Sequence, residues 1–208
     1  MMTIIALLVV ILDQGLKIYV HNHFQLYQSI EITPWFQLCY VENNGMAFGV
    51  EWFSKLALTL FRIVAVIAII WYIAKLLLLE WRTSYLLMLA LIAAGAVGNI
   101  IDCMFYGIIW DYAPFMYGKV IDMLYFPIIR SAEGEVLFFQ PVFNIADTAI
   151  TSAIFAVLLF FRKDFNESFE KIKLLKNKTA GEADEADYPD TTAEPDSATN
   201  SESAEKSE

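Results

Sequence analysis

The sequence predicts an all-α membrane protein, with four transmembrane helices and a small extracytoplasmic region of β-sheet and loops. Three observations predict it. Hydrophobic residues make up 58% of the 208 and the mean hydropathy is +0.51, above the roughly 45–50% apolar share of a soluble domain. Four stretches are long and apolar enough to cross the hydrocarbon layer, which takes roughly 20 residues. The charge is also segregated: from Thr179 to Glu208 ten acidic residues stand against the single Lys206, a net of −9 out of the chain's −10. What remains is a nearly neutral apolar body of one domain's length.

The spans are expected at about 2–20, 56–79, 84–103 and 142–161, joined by outer connections at 21–55 and 104–141. The first has no Lys or Arg at its start, and Asp13 and Lys17 interrupt its far end, so it reads as a retained helix rather than a cleaved signal peptide. The second, LTLFRIVAVIAIIWYIAKLLLL, is apolar all round, unlike a helix of a soluble bundle. The third carries Gly95, Gly98 and several alanines, which suit close helix packing in a membrane.

Basic residues near the helix ends set the orientation. Lys75, Arg82, Arg162, Lys163, Lys171, Lys173, Lys176 and Lys178 fall on one side and only Lys55, Lys119 and Arg130 on the other. Both termini are therefore expected in the cytoplasm.

The connections carry weaker signals. HNHFQLYQSIEI at 21–32 mixes polar and apolar residues as a surface-lying segment does. PWFQLCYV at 34–41 has the content of a strand, Asn43, Asn44 and Gly45 read as a turn, and PIIRSAEGEVLFF as a hairpin. The aromatic run Phe105, Tyr106, Trp110, Tyr112, Phe115 and Tyr117 suits the lipid–water interface. From about Lys178 onward the acidic tail has almost nothing to bury and is expected to be disordered.

Polar residues beside apolar stretches are costly at membrane depth and mark functional sites. Asp122 lies in VID and Asp147 in FNIAD. Two carboxylates brought together cannot both ionise easily and tend to share a proton, the arrangement by which an aspartic protease activates water. The predicted topology gathers Asp13, Lys17, Asn99, Asp102, Asn144 and Asp147 near the outer surface, and Asp122 reaches that level if its loop folds back. Taken singly, each has a plainer reading: Asp13 and Lys17 at i, i+4 form a helix-face ion pair, and Asn144 is an N-cap.

Other chemistries find less support. His21 and His23 are too close together and lack further ligands at metal spacing. No GxSxG elbow, P-loop or GxGxxG occurs, and no basic stripe suggests nucleic acid. Whether Cys39 and Cys103 pair is open at this level.

In these motifs the chain resembles the lipoprotein signal peptidases (signal peptidase II), bacterial intramembrane aspartic proteases. The resemblance runs in order through DQGLK at 13–17, NNGMAFG at 43–49, GAVGNIID at 95–102, VIDM at 120–123 and FNIADTAI at 143–150. It implies that residues 1–165 form the protease domain and 166–208 a cytoplasmic tail, disordered from about 179. It further implies that Asp122 and Asp147 are the catalytic dyad, with Asp13, Lys17, Asn43, Gly45, Asn99, Asp102 and Asn144 supporting the site. The implied substrate is a prolipoprotein whose cysteine carries diacylglyceryl, cut just before that cysteine in the bacterial inner membrane. Membrane lipids are the other expected partner; no metal, cofactor, nucleic acid or second subunit is expected.

Chemically, Asn99 and Asn144 are candidates to hold the substrate's oxyanion, and a small sheet over the helices could grip an extended peptide by strand addition. Three departures from the family stand out. Cys103 occupies the place where it commonly has Arg, Met46 replaces a usual small residue, and the stretch between Asp102 and Asp122, which holds the aromatic run, is longer than usual. A small proton-coupled carrier, relaying protons through Asp13, Lys17, Asp122 and Asp147, is the alternative from another class, and a noncatalytic scaffold a third.

Overall fold

The computed structural model describes residues 2–45, 55–130, 136–138 and 141–186. Helix α1 (Met2–His23) turns the usual pattern inside out. Asp13 and Lys17 are fully buried, while Ile11 and Leu12 are 63% and 60% exposed. Apolar residues facing outward around a polar interior are what a lipid environment requires. The helix runs three residues beyond the predicted 2–20, so His21–His23 are helical rather than part of a surface-lying segment. The next residues form β1 (Ser29–Thr33), paired antiparallel with β2 (Phe36–Asn43).

Helix α2 (Lys55–Leu78) matches the second predicted span to within a residue. Helix α3 (Thr83–Ile101) is the central one and packs against α1, α2 and the later α5. Its glycines explain how. A Cβ on Gly95 would lie 2.4 Å from the Ala146 carbonyl oxygen, and one on Gly98 would lie 2.8 Å from an Asp13 carboxylate oxygen. Only hydrogen at these positions lets α5 and α1 approach so closely.

Beyond α3 the helix widens into a π-helical turn, Asp102–Tyr106, followed by the short α4 (Gly107–Ile109). This turn carries Asp102, Cys103 and Tyr106 inward. Strand β3 (Val120–Tyr125) then pairs with β2, Val41 opposite Asp122 and Asn43 opposite Val120. The sheet is antiparallel in the order β1-β2-β3-β6, where β6 is Val142–Phe143. Asp122 therefore belongs to an inner strand and not to a loop. The sequence hid this because Val120–Met123 are all buried, which removes the alternation that marks a half-exposed strand. The expected hairpin forms between β4 (Ile129–Arg130) and β5 (Val136–Phe138); its 131–135 connection lies outside the described residues.

Helix α5 (Ile145–Phe160) is shorter than the predicted 142–161, because residues 142–143 join the sheet and Asn144 becomes the cap. Three helices among the described residues are long and apolar enough to cross a membrane; a fourth span exists only if α5 and the start of α6 (Arg162–Ala186) count as one bent element. The architecture is thus mostly helical, with three or four apolar spans and a small antiparallel sheet.

The chain divides into two units, Met1–Ser168 and Phe169–Glu208. In the second, α6 continues to Ala186, so 179–186 are helical where composition predicts disorder. Acidic, Ala-rich sequence withholds a core but not a helix; residues 187–208 lie outside the described ones.

The packing predicts opposite outcomes for two glycines. Gly95→Ala should lower the thermal midpoint in detergent, overpacking of this kind costing about 1–3 kcal/mol. Gly15→Ala, with nothing within 4 Å of the added carbon, should leave the midpoint unchanged or raise it.

Candidate active site

Asp122 is held by two amides. Its Oδ1 accepts from Asn144 Nδ2 at 2.7 Å and its Oδ2 from Asn43 Nδ2 at 2.9 Å. Asn43 ends β2 opposite Val120, so the β2–β3 register delivers it. Its own Oδ1 accepts from the Gly45 N–H at 2.7 Å, closing the expected turn, which Gly45 completes at φ +73°, a conformation open to glycine.

Asp147 stands in the first turn of α5, half-buried, with Oδ1 accepting from Asn99 Nδ2 at 2.7 Å. Its backbone N–H donates to Asn144 Oδ1 at 2.8 Å, so Asn144 is the N-cap of α5. Asn144 does both things proposed for it. It caps the helix through its oxygen and holds Asp122 through its nitrogen, and is fully buried while doing so.

Below the carboxylates lies an ionic cluster with no exposed side chain. Lys17 Nζ contacts Asp13 Oδ2 at 2.8 Å, Asp102 Oδ2 at 2.7 Å and Asn99 Oδ1 at 3.0 Å. All three ammonium donors are used. Asp13 Oδ1 accepts the Ala146 N–H at 2.9 Å, and Asp102 Oδ2 accepts that of Ile121 at 3.3 Å. The Asp13–Lys17 helix-face pair exists, but as part of a network reaching α3, β3 and α5.

Every sequence-predicted site residue falls in this one assembly. One expectation changes. The Asn99 and Asn144 amides are directed at Asp147 and Asp122, so they orient carboxylates instead of waiting for an oxyanion. The expected sheet is present with β1 at its edge, while the Ile121 N–H beside Asp122 goes to Asp102 and its carbonyl oxygen lies 3.4 Å from Asn144 Nδ2.

Sequence reasoning missed Gln14, whose Nε2 reaches Gly98 O at 3.0 Å and Asp102 Oδ1 at 2.9 Å while its Oε1 accepts from Tyr106. A Gln between Asp13 and Lys17 in a span was the available signal. It also missed Thr59 and Arg62 on α2; Arg62 Nη1 donates to Cys103 Sγ at 3.2 Å. Of the aromatic run, Phe105, Tyr112, Phe115 and Tyr117 are exposed as an interfacial belt requires, while Tyr106 is buried and Trp110 stacks on His21 at 3.5 Å. Both cysteines are free.

A cavity of 320 Å³ opens beside Asp147, lined by Phe143, Thr148, Thr151 and Ser152. Burial pushes the Asp122 carboxyl up to about 7; the nearby Asp147 charge adds to this, and the Asn43 and Asn144 amides oppose it.

Lys17→Met should lower the thermal midpoint steeply, since it leaves Asp13 and Asp102 buried without their cation, a loss of about 3–5 kcal/mol for a broken buried pair. Thermal unfolding in detergent checks this, and an unchanged midpoint would mean that the lysine does not hold the cluster.

The family described as signal peptidase (SPase) II matches residues 5–162. A lipoprotein signal peptidase of Porphyromonas gingivalis is 37% identical over 205 residues, covering 86% of this chain and 91% of its own. That of Amoebophilus asiaticus is 37% identical, covering 80% of each, and that of Pelodictyon phaeoclathratiforme 36%, covering 77% and 89%. Two solved structures described as a bacterial membrane enzyme, at 2.3 and 1.9 Å, share the fold, each with a TM-score of 0.60. They are 24% and 25% identical and cover 80% and 78% of this chain, and 90% and 93% of theirs. A match through nearly the whole helical body, carried by relatives at this identity, leads to one statement: the chain belongs to the signal peptidase II family.

Proposed function

We propose that this chain is an aspartic endopeptidase of the bacterial inner membrane that removes signal peptides from diacylglyceryl-modified prolipoproteins, cleaving just before the lipid-modified cysteine. The observation that carries the reading is Asn144, one side chain bonded to both Asp122 and the backbone of Asp147. It ties a strand carboxyl and a helix carboxyl into one unit, and the relatives named lipoprotein signal peptidase support the substrate.

Asp122 and Asp147 are the catalytic pair. Asp122 holds the shared proton near neutral pH, because burial raises its pKa to about 7. Asp147, beside the cavity, takes a proton from water as the hydroxide attacks the scissile carbonyl carbon, and Asp122 gives its proton to the carbonyl oxygen. When the C–N bond breaks, Asp147 returns its proton to the leaving amine and Asp122 recovers one from the diol. Asp13, Lys17, Asn43, Gly45, Asn99, Asp102 and Asn144 keep the pair in register, and no metal or cofactor takes part.

Helix α5 serves as the fourth span with the basic start of α6 at its inner end, both termini face the cytoplasm, and the pair sits near the outer surface. The balance of basic residues and the gathering of polar side chains at one level support this. One copy of the chain suffices, since all groups of the site come from it. The carrier reading finds no support: a peptidase family claims the chain, and Asp13, Asp102, Asp122 and Asp147 lie in one assembly instead of forming a path across the spans.

Asp122→Asn and Asp147→Asn should each lower the cleavage rate for a diacylglyceryl-modified peptide by at least about two to three orders of magnitude. The double variant should be scarcely worse, since the two act as one unit; near-normal turnover by either single variant would overturn the dyad.

The pH dependence has a sign. Because the protonated form of Asp122 is the donor, kcat/KM should fall as pH rises through about 7, an apparent value that belongs to the pair. A profile still rising at pH 8 to 9 would contradict Asp122 as the acid.

A further inference from the structure

The outer end of α2 carries a polar stripe that the proposed reaction leaves unused. Lys55, Thr59 and Arg62 are spaced i, i+4, i+7 and share one helix face. Lys55 Nζ donates to Asn44 Oδ1 at 3.3 Å. Thr59, 1% exposed, donates to Lys55 O at 2.9 Å and lies 3.5 Å from Met116 O. Arg62 donates to Cys103 Sγ at 3.2 Å. The stripe therefore faces the 43–45 turn and the π-helical turn, the two segments that flank Asp122.

Arg62 is the member whose chemistry is incomplete. A guanidinium carries five N–H donors, yet among the described residues its hydrogen bond goes to a thiol, a weak acceptor. A half-buried arginine within an apolar span is costly unless something uses it. Its guanidinium also abuts the turn: a Cβ on Gly45 would lie 3.2 Å from Nη2 and 3.5 Å from Nη1. From Gly45 the path to the carboxyl is short, through Asn43 Oδ1 and then Asn43 Nδ2 to Asp122 Oδ2.

We propose that Arg62 is a substrate-positioning residue, its guanidinium reaching from α2 to the Cys103 side chain and holding carbonyl oxygens of the lipidated peptide next to Asp122. The inference rests on the signal peptidase reading above. A planar fork of donors suits oxygens presented side by side, and both the peptide main chain and the glyceryl esters offer carbonyl oxygens.

The test uses the full chain in nanodiscs with a diacylglyceryl-modified lipobox peptide and its ether-linked analogue, which lacks the ester carbonyls. Arg62→Gln should raise KM about tenfold, the effect of losing one charge-assisted hydrogen bond, with kcat within about threefold and an unchanged thermal midpoint. Arg62→Lys, which keeps the charge but not the fork, should fall between. Adding Cys103→Arg to Arg62→Gln should recover most of the loss, because it returns a guanidinium to the same place by another route. A KM penalty that vanishes with the ether analogue assigns the contact to the ester carbonyls, and one that persists assigns it to the peptide.

An unchanged KM in Arg62→Gln, or a loss that Cys103→Arg leaves unrepaired, overturns the proposal while an active wild type leaves the peptidase reading standing. A wild type that cleaves no lipidated peptide removes both. Should Arg62→Gln fold poorly, Arg62→Lys decides: wild-type KM in that folded variant overturns the fork.

Discussion

The structure depends on one ammonium group. Lys17 Nζ meets Asp13, Asp102 and Asn99 at 2.7 to 3.0 Å with no exposure to solvent. Each partner belongs to a different constraint: Asp13 anchors the Ala146 N–H of α5, Asp102 the Ile121 N–H of β3, and Asn99 the Asp147 carboxylate. The cation thus joins the helix and the strand that carry the two acids. A buried ion pair is weak support for stability by itself, because desolvation consumes much of the Coulombic gain. Its effect here is geometric, since removing any member would leave a charge or an amide without its partner.

That geometry explains why so much of the site was legible in the sequence and so little of the sheet. Polar residues inside apolar runs stand out against composition, so Asp13, Lys17, Asn99, Asp102 and Asp147 announce themselves before any fold is known. β3 was not legible because it is buried along Val120–Met123, and burial on both faces erases the two-residue alternation by which strands are recognised. The end of α1 was misread for a related reason. His21 and His23 look like surface residues, and His23 is exposed, but His21 stacks on Trp110 and bonds Tyr40 at 2.7 Å, contacts that bring together residues 19 and 89 positions apart.

Gln14 and Arg62 escaped notice for the opposite reason. Each is a single polar residue whose partners come from elsewhere in the chain: Gln14 reaches α3 and Tyr106, and Arg62 reaches Cys103, 41 residues away. Spacing within one helix can predict that residues share a face. It cannot predict what that face meets, which the close approach of α3 at Gly95 and Gly98 decides.

The start of α5 shows how these constraints converge on chemistry. A helix begins with backbone N–H groups that have no partner within it, and its positive end favours carboxylates. Asp13 satisfies the N–H of Ala146 from α1, and Asn144 satisfies that of Asp147 from the cap position. The backbone bearing Asp147 is therefore pinned from two directions before its side chain is held by Asn99. Asp122 is pinned on an inner strand by the β2 register and by Asn43 and Asn144. Productive acid–base geometry tolerates errors of roughly half an ångström, so a carboxylate on a free loop would be a poor partner. In the proposed reaction, mounting one acid on a strand and the other on a capped helix, with Asn144 common to both, lets the scaffold itself hold the pair. The cavity beside Asp147 stays open, which is where the proposed reaction needs its substrate.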